Sequence, residues 1–257
     1  MKLPFARTVR EYQSLDSTSD TARELVARGG IELPLLVLAH RQTAGRGRGD
    51  HSWWSGEGSL TFTIAIDPAA HGLRPEHEPR VALAVAVALC RVIEADADVL
   101  PQIRWPNDVE CDDRKLAGIL PERVETPEGP RLLIGIGLNV RNQFDDAPES
   151  IRAMATSIAR ESRLLDGEPA EISVYLEGLA AEMPTLLSQV ASEDPGLADA
   201  WRHRDGLLNR YVRLKTDDAI ITGIGMGIAP DGGLRIRAIG EQVKVYYGGQ
   251  VLRDRVS

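Results

Sequence analysis

Apolar positions recur along the chain with two periods. Residues 59–66 (SLTFTIAI) alternate with a period of two and predict a strand. Residues 34–40 (PLLVLAH) are almost continuously apolar and predict a buried strand. Residues 79–95, rich in Ala, Val and Leu without a breaker, predict a buried helix. The cap-forming cluster Ser17-Thr18-Ser19-Asp20 stands before a short helix over 21–28, and Gly29-Gly30 stops it. Short strands at 102–105 and 109–111 flank Pro106-Asn107-Asp108. A turn at Asp112-Asp113-Arg114 leads into a strand over 115–124, and 131–140 returns as its partner. Helical spacing follows over 151–163, 171–190 and 197–204.

Near Leu208 the texture changes. Short strands at 210–215, 219–228, 233–239 and 242–247 alternate with turns at Asp217-Asp218, Pro230–Gly233 and Gly240-Glu241. This predicts a small antiparallel barrel of residues 208–257 after a larger unit of residues 1–207. No Pro- or Ser-rich linker separates them, so the two parts are expected to pack together.

Composition narrows the function. The 257 residues carry 30 Lys+Arg against 38 Asp+Glu, a formal charge of −8. That argues against broad nucleic-acid or anionic-membrane binding, while leaving room for a local basic pocket. The longest apolar run, 81–90, is too short to span a bilayer, and residues 1–10 lack a signal-peptide core. Two cysteines, Cys90 and Cys111, cannot frame a disulfide scaffold, so a cytoplasmic location is expected. The five His show no HExxH spacing, and neither GxxxxGK[ST] nor GxSxG occurs.

Three segments carry candidate chemistry. In Gln42-Thr43-Ala44-Gly45-Arg46-Gly47-Arg48-Gly49, glycines let backbone N–H groups approach a ligand, and two guanidinium forks suit a carboxylate or phosphate. The same composition serves a flexible surface loop, but Trp53 and Trp54 just beyond it need an apolar surface to cover. In Arg104-Trp105-Pro106-Asn107-Asp108, the Asn107 amide suits a purine edge and Asp108 suits Mg²⁺. Lys115 could present its ammonium to an anion; the plainer alternative is a turn and a surface lysine. In Gly135-Ile136-Gly137-Leu138-Asn139, the glycines either weaken a strand or lay its backbone against a flat ligand.

Together these segments resemble biotin protein ligases. The resemblance rests on Asp16-Ser17-Thr18, the stretch 42–48, Trp53, Ser55, 105–108, Lys115–Leu120 as KLAGIL, and Gly135–Asn139 as GIGLN, in that order. It covers nearly the whole chain. It implies an α+β fold: a mixed-sheet catalytic domain with flanking helices and a small C-terminal SH3-like β-barrel. It implies that biotin attacks the α-phosphate of ATP, with Mg²⁺, to give biotinyl-5′-AMP. A lysine of a biotin carboxyl carrier protein then attacks the anhydride. By motif, Ser17, Thr18, Ser19 and Gln42 face the ureido ring of biotin. Arg46, Gly47, Arg48 and Lys115 cover its carboxylate and the adenylate phosphate. Gly135 and Gly137 form the floor. Trp53, Asn107, Asp108 and Asn139 lie on the nucleotide side, with Asp108 also the metal ligand and the proton acceptor for the second step.

This sequence departs from the family pattern at Ser19, where Asn is common, at Gly49-Asp50-His51, usually more basic, and at Arg104, where Lys is common. About fifteen residues precede Ser17, too few for a DNA-binding domain, so no DNA contact of that kind is expected. A monomer and a homodimer both remain open. The rival enzyme is a lipoate–protein ligase, and the rival from another class is a noncatalytic biotin or adenylate sensor, which would not need Lys115.

Overall fold

A computed structural model describes residues 3–162 and 171–253. The larger unit runs β1 (Thr8–Tyr12), α1 (Thr18–Arg28), β2 (Leu35–Ala39), β3 (Ser59–Ile66), α2 (Glu78–Asp96), β4 (Gln102–Arg104), β5 (Asp108–Cys111), β6 (Arg114–Thr126) and β7 (Gly129–Asn139). Helices α3 (Glu149–Met154), α4 (Ile158–Glu161), α5 (Ile172–Ala191) and α6 (Pro195–His203) follow. The seven strands form one sheet in the order β1-β2-β3-β7-β6-β5-β4. β1 pairs with β2 in parallel, whereas the other neighbours are antiparallel, so the sheet is mixed as expected.

The period of two in β3 and β7 explains the layering. Leu60, Phe62, Ile64 and Ile66 share one cluster with Leu132, Ile134, Ile136 and Leu138 and with Val81–Ile93 of α2 and Leu176–Val190 of α5. Each such side chain, removed from water, contributes about 1.5–3 kcal/mol. The opposite sheet face carries Ala65 and Leu133, which pack on Ala22 and Val26 of α1. β3 is therefore buried on both faces, including Thr61 and Thr63, where simple alternation predicts a wet side.

Local chemistry sets the element ends. Ser17 caps α1, its Oγ accepting from the Asp20 N–H at 3.3 Å, so Thr18 and Ser19 sit in the first turn rather than before it. The β5–β6 turn places Asp112 and Asp113 at φ 48 and 61, the left-handed pair a two-residue hairpin loop needs. The helix predicted over 151–163 is broken instead. Ala155 bridges to Lys115, and the Thr156 N–H donates to the Lys115 carbonyl at 2.9 Å, so β6 captures backbone that a continuous helix would use. Residue 163 lies outside the described residues.

The C-terminal strands are β8 (Tyr211–Lys215), β9 (Ile220–Ile228), β10 (Leu234–Arg237), β11 (Val243–Tyr246) and β12 (Gln250–Val251), an antiparallel sheet in the order β11-β10-β9-β8-β12. That order is open. The predicted small antiparallel β-unit is thus a five-stranded sheet, and among the described residues no pairing of β11 with β12 closes it. The sheet packs on the larger unit through Asp205, which bridges Ile103 of β4 and accepts from the Leu207 N–H at 2.9 Å. Trp105 Nε1 also donates to the Gly232 carbonyl at 2.9 Å. Among the described residues, no helix is long and apolar enough to cross a membrane. Cys90 and Cys111 are buried and not disulfide-bonded.

Candidate functional site

One face of the sheet centre is left uncovered by α1, and it becomes the floor of a cavity. Pairing sets Thr63 opposite Gly135 and Thr61 opposite Gly137. It also sets Gly118 opposite Gly137 and Leu120 opposite Gly135. The glycines are required by what stands above them. A Cβ on Gly137 would lie 2.3 Å from Trp53 Cε2, and one on Gly135 would lie 2.7 Å from Ser19 Oγ. One on Gly118 would lie 3.1 Å from Lys115 Nζ. The cavity has a volume of about 1170 Å³ and is bounded by both sheets. Six cationic side chains (Arg46, Arg48, Arg104, Lys115, Lys215, Arg253) and four carboxylates (Asp50, Asp108, Asp217, Asp218) line it. Several of these cations are ion-paired: Arg46 with Asp20 and Glu122, Arg104 and Arg253 with Glu110, and Lys115 with Asp108.

One end is a ring of small polar groups. The Thr18 backbone N–H and hydroxyl both donate to Gln42 Oε1, at 2.7 and 3.1 Å. Thr63 Oγ1 donates to Thr18 Oγ1 at 2.9 Å and lies 3.1 Å from Ser19 Oγ. The Gln42 N–H donates to Ser55 Oγ at 3.2 Å. Ser17, Thr18 and Ser19 are all buried, so this ring can meet a neutral polar ligand group without first shedding much water.

The glycine-rich segment folds as a hairpin. The Gly47 N–H donates to the His51 carbonyl at 2.8 Å, and the Trp53 N–H to the Gly45 carbonyl at 2.8 Å. Gly49 makes the turn at φ 60. Arg46 anchors the base: Nη1 donates to Asp20 Oδ1 at 2.9 Å and Nη2 to Glu122 Oε1 at 2.8 Å. Burial works against its charge, but Glu122 and Asp20 together hold the guanidinium above its ordinary pKa. Arg48 stands at the tip, with Nη1 donating to the Gly249 carbonyl at 2.6 Å.

On the third side, Lys115 Nζ lies 2.7 Å from Asp108 Oδ1 and 5.7 Å from the Trp53 ring centroid. The backbone of Lys115 is fixed by Ala155 and Thr156, described above, and its carbonyl accepts from Asn139 Nδ2 at 3.4 Å. Trp53 Nε1 and Asn139 Oδ1 are buried and make no hydrogen bond among the described residues. Beyond them, Trp54 and Phe144 stack with centroids 5.6 Å apart next to Ala155 and Ile151.

The residues to which the sequence gives a binding or catalytic role line this one cavity, whereas Asp16, Gly45 and Ser55 of the same motifs do not; the postures also differ from the simplest expectation. Arg46 turns its fork to Asp20 and Glu122, so of the three cations expected at the site Arg48 and Lys115 are the ones not held by that pair. Asn107 spends its amide on structure: Nδ2 donates to the Ile119 carbonyl at 2.8 Å, and the Ile119 N–H returns to Asn107 O at 2.9 Å. Trp53 lies flat over Gly118 and Gly137 as an inner wall. Sequence reasoning missed Thr63, Glu122, Gly249 and Gln250. A threonine inside a strand covered on both faces is a signal that was available for Thr63. Glu122 and the C-terminal pair enter only through tertiary contacts.

An α+β domain folded around a cleft lined by small polar groups, glycines and paired charges has the form of a ligand-binding enzyme domain. Comparison with known proteins gives the particular family. Residues 11–139 match the biotin/lipoate A/B protein ligase family. The biotin–[acetyl-CoA-carboxylase] ligase of Paracoccus denitrificans is 30% identical over 243 residues, covering 91% of this chain and 98% of that protein. The bifunctional ligase/repressor BirA of Bacillus spizizenii is 39% identical over 157 residues. That match covers 59% of this chain and 46% of the Bacillus protein, so the chain spans about half the length of that relative. The structure of the Aquifex aeolicus biotin protein ligase in complex with biotin and ATP superposes with a TM-score of 0.81 at 23% identity, over 96% of this chain and 98% of that one. The chain belongs to the biotin/lipoate A/B protein ligase family.

Proposed function

We propose that this chain activates biotin with ATP to biotinyl-5′-AMP, releasing pyrophosphate, and transfers the biotinyl group to a lysine of a biotin carboxyl carrier protein, releasing AMP. One observation carries the reading: a single cavity joins the Thr18–Gln42 polar ring, the Gly135–Gly137 floor and the Lys115–Asp108 pair under a two-arginine hairpin. The ring suits the ureido group, with Ser17, Thr18, Ser19, Thr63 and Gln42 as partners. The glycines let Trp53 lie directly on the floor, so the flat bicycle is assigned to the space beside the indole, between it and the polar ring.

The first step brings carboxylate and triphosphate together, so their repulsion must be offset where the new bond forms. Lys115 and Arg48 supply the positive charge, Arg46 pins the hairpin base, and the Gly47 backbone lies between them. Charge-assisted contacts of this kind contribute roughly 1.5–3 kcal/mol each. Magnesium enters with ATP as the substrate's cation. Asp108 is the carboxylate beside Lys115, and one carboxylate with phosphate oxygens meets the usual magnesium set. Asn139, with its unsatisfied Oδ1, and the Trp54–Phe144 wall suit the base; Asn107 holds the strand that carries Asp108. In the second step the acceptor ammonium, with a pKa near ~10.4, must lose a proton. Asp108 is the group assigned to take it.

A cytoplasmic setting is part of this proposal, supported by the absence of a signal-peptide core in residues 1–10 and by two cysteines that form no disulfide. The test offers purified protein labelled biotin or labelled lipoate in parallel, with MgATP and an apo-carrier domain. Biotin alone should be transferred; transfer of lipoate alone would overturn the substrate assignment. Biotin bound without any adenylate formed would favour a sensor.

A further inference from the structure

The hairpin tip touches a part of the chain to which the proposed chemistry gives no task. Arg48 Nη1 reaches the Gly249 carbonyl at 2.6 Å, and Gln250 Nε2 donates to His51 Nε2 at 3.0 Å. These partners lie 201 and 199 residues apart, so the contacts form only if the C-terminal sheet is docked beside the cavity. Both are held ready on the C-terminal side. Gln250 is fixed by its pairing with Lys215 across β12 and β8. Gly249 adopts φ +124, and a Cβ there would lie 2.8 Å from the Lys215 carbonyl, so the aim of its own carbonyl depends on glycine. On the other side the base of the hairpin is pinned by Asp20 and Glu122. The hairpin therefore bridges the larger sheet and the C-terminal sheet across the mouth of the cavity, and Gln250 and Gly249 stand on its wall.

We propose that Gly249 and Gln250 are positioning residues: the C-terminal sheet latches the hairpin shut and so retains the acyl-adenylate until the acceptor amine arrives. The inference rests on the function proposed above. Its physical logic is that of a gate. The contacts are one charge-assisted hydrogen bond and one neutral hydrogen bond, both exposed to solvent. They bias the hairpin toward closure and still break for substrate entry. The Gly249 carbonyl also orients the Arg48 guanidinium while leaving its other N–H groups for an anion.

The test compares wild type with Gln250→Ala, His51→Ala, the double variant and Gln250→Glu. In Gln250→Ala, release of biotinyl-AMP from the enzyme should rise about threefold to tenfold, the factor of one neutral hydrogen bond. First-turnover pyrophosphate release should be retained. The double variant should leak no more than either single one, and Gln250→Glu should restore retention, because its carboxylate accepts from the His51 ring N–H. An independent readout uses trypsin. Cleavage after Arg46 and Arg48 should quicken in Gln250→Ala while the melting temperature holds. Unchanged leakage and unchanged cleavage would overturn the latch, as would additive single effects or a melting loss with cleavage throughout the chain. A wild-type protein that makes no adenylate would remove the functional reading, and the trypsin series would still decide the latch.

Discussion

Replacing Gly137 with alanine tests how the cavity is built. The new Cβ would lie 2.3, 2.6 and 2.7 Å from Trp53 Cε2, Cζ2 and Cδ2, all inside any tolerated carbon–carbon contact. The strand cannot yield, because Gly137 is paired with Thr61 on one side and Gly118 on the other. The indole must therefore lift from the floor into the cavity. Overpacking of this kind costs typically about 1–3 kcal/mol. If the displaced ring occupies ligand space, the same energy appears as a loss in biotin affinity of roughly fivefold to a hundredfold, at 1.4 kcal/mol per tenfold. Titration calorimetry with biotin and tryptophan fluorescence should report both effects. Gly248→Ala, where a Cβ would meet nothing within 4 Å, is the control on the same cavity and should change neither. Trp53→Phe in the Gly137→Ala background should recover part of the affinity, because the smaller ring fits above the methyl. Wild-type biotin affinity and fluorescence in Gly137→Ala would refute the stacking of Trp53 on the floor.

Three further outcomes follow from the site and its supports. Lys115→Ala should slow pyrophosphate release by about tenfold to a hundredfold, the range of a charge-assisted contact, with a smaller effect on biotin binding; unaffected pyrophosphate release would make Lys115 structural. Arg48→Gly should release adenylate into solution and label lysines indiscriminately, read by mass spectrometry of a bystander protein; unchanged retention would contradict its role. Burial pushes the Asp205 carboxyl from 3.8 up to about 6, against backbone N–H groups of Leu207 and Ile228 that favour its charge. The contribution of this group to stability is thus full below about 4 and lost as pH rises through about 6, amounting to roughly 3 kcal/mol at 1.36 per pKa unit. Wild type should lose that much relative to Asp205→Asn between pH 4 and pH 7 in denaturant melts, and a parallel pair of curves would refute it.

Much of the framework was readable because it follows from period and punctuation. The strand over 59–66 matches β3 residue for residue, and the breaker-free run over 79–95 lies within α2, Glu78–Asp96. GIGLN has its period of two in plain view, so two glycines and Asn139 fall on one face. β1 was invisible because it is an edge strand whose residues TVREY are exposed or half-buried, with no apolar rhythm. β12 has two residues and exists only through β8. The broken helix over 151–163 shows the opposite case, where local periodicity was correct and pairing with Lys115 overrode it. The site follows the same division. Residue types were readable at Thr18, Gln42, Arg48 and Lys115. The partners of Thr18, Arg48 and Arg46 were not, because Thr63, Gly249 and Glu122 reach these three across the fold.

The proposed chemistry requires Lys115 and Arg48 to face one cavity in which a carboxylate is joined to a nucleotide. The direct measurement incubates purified protein with labelled biotin and MgATP, without carrier, and assays bound product after a single turnover. One biotinyl-AMP per active site is expected, with pyrophosphate released in equal amount. Bound biotin with no pyrophosphate released would contradict it.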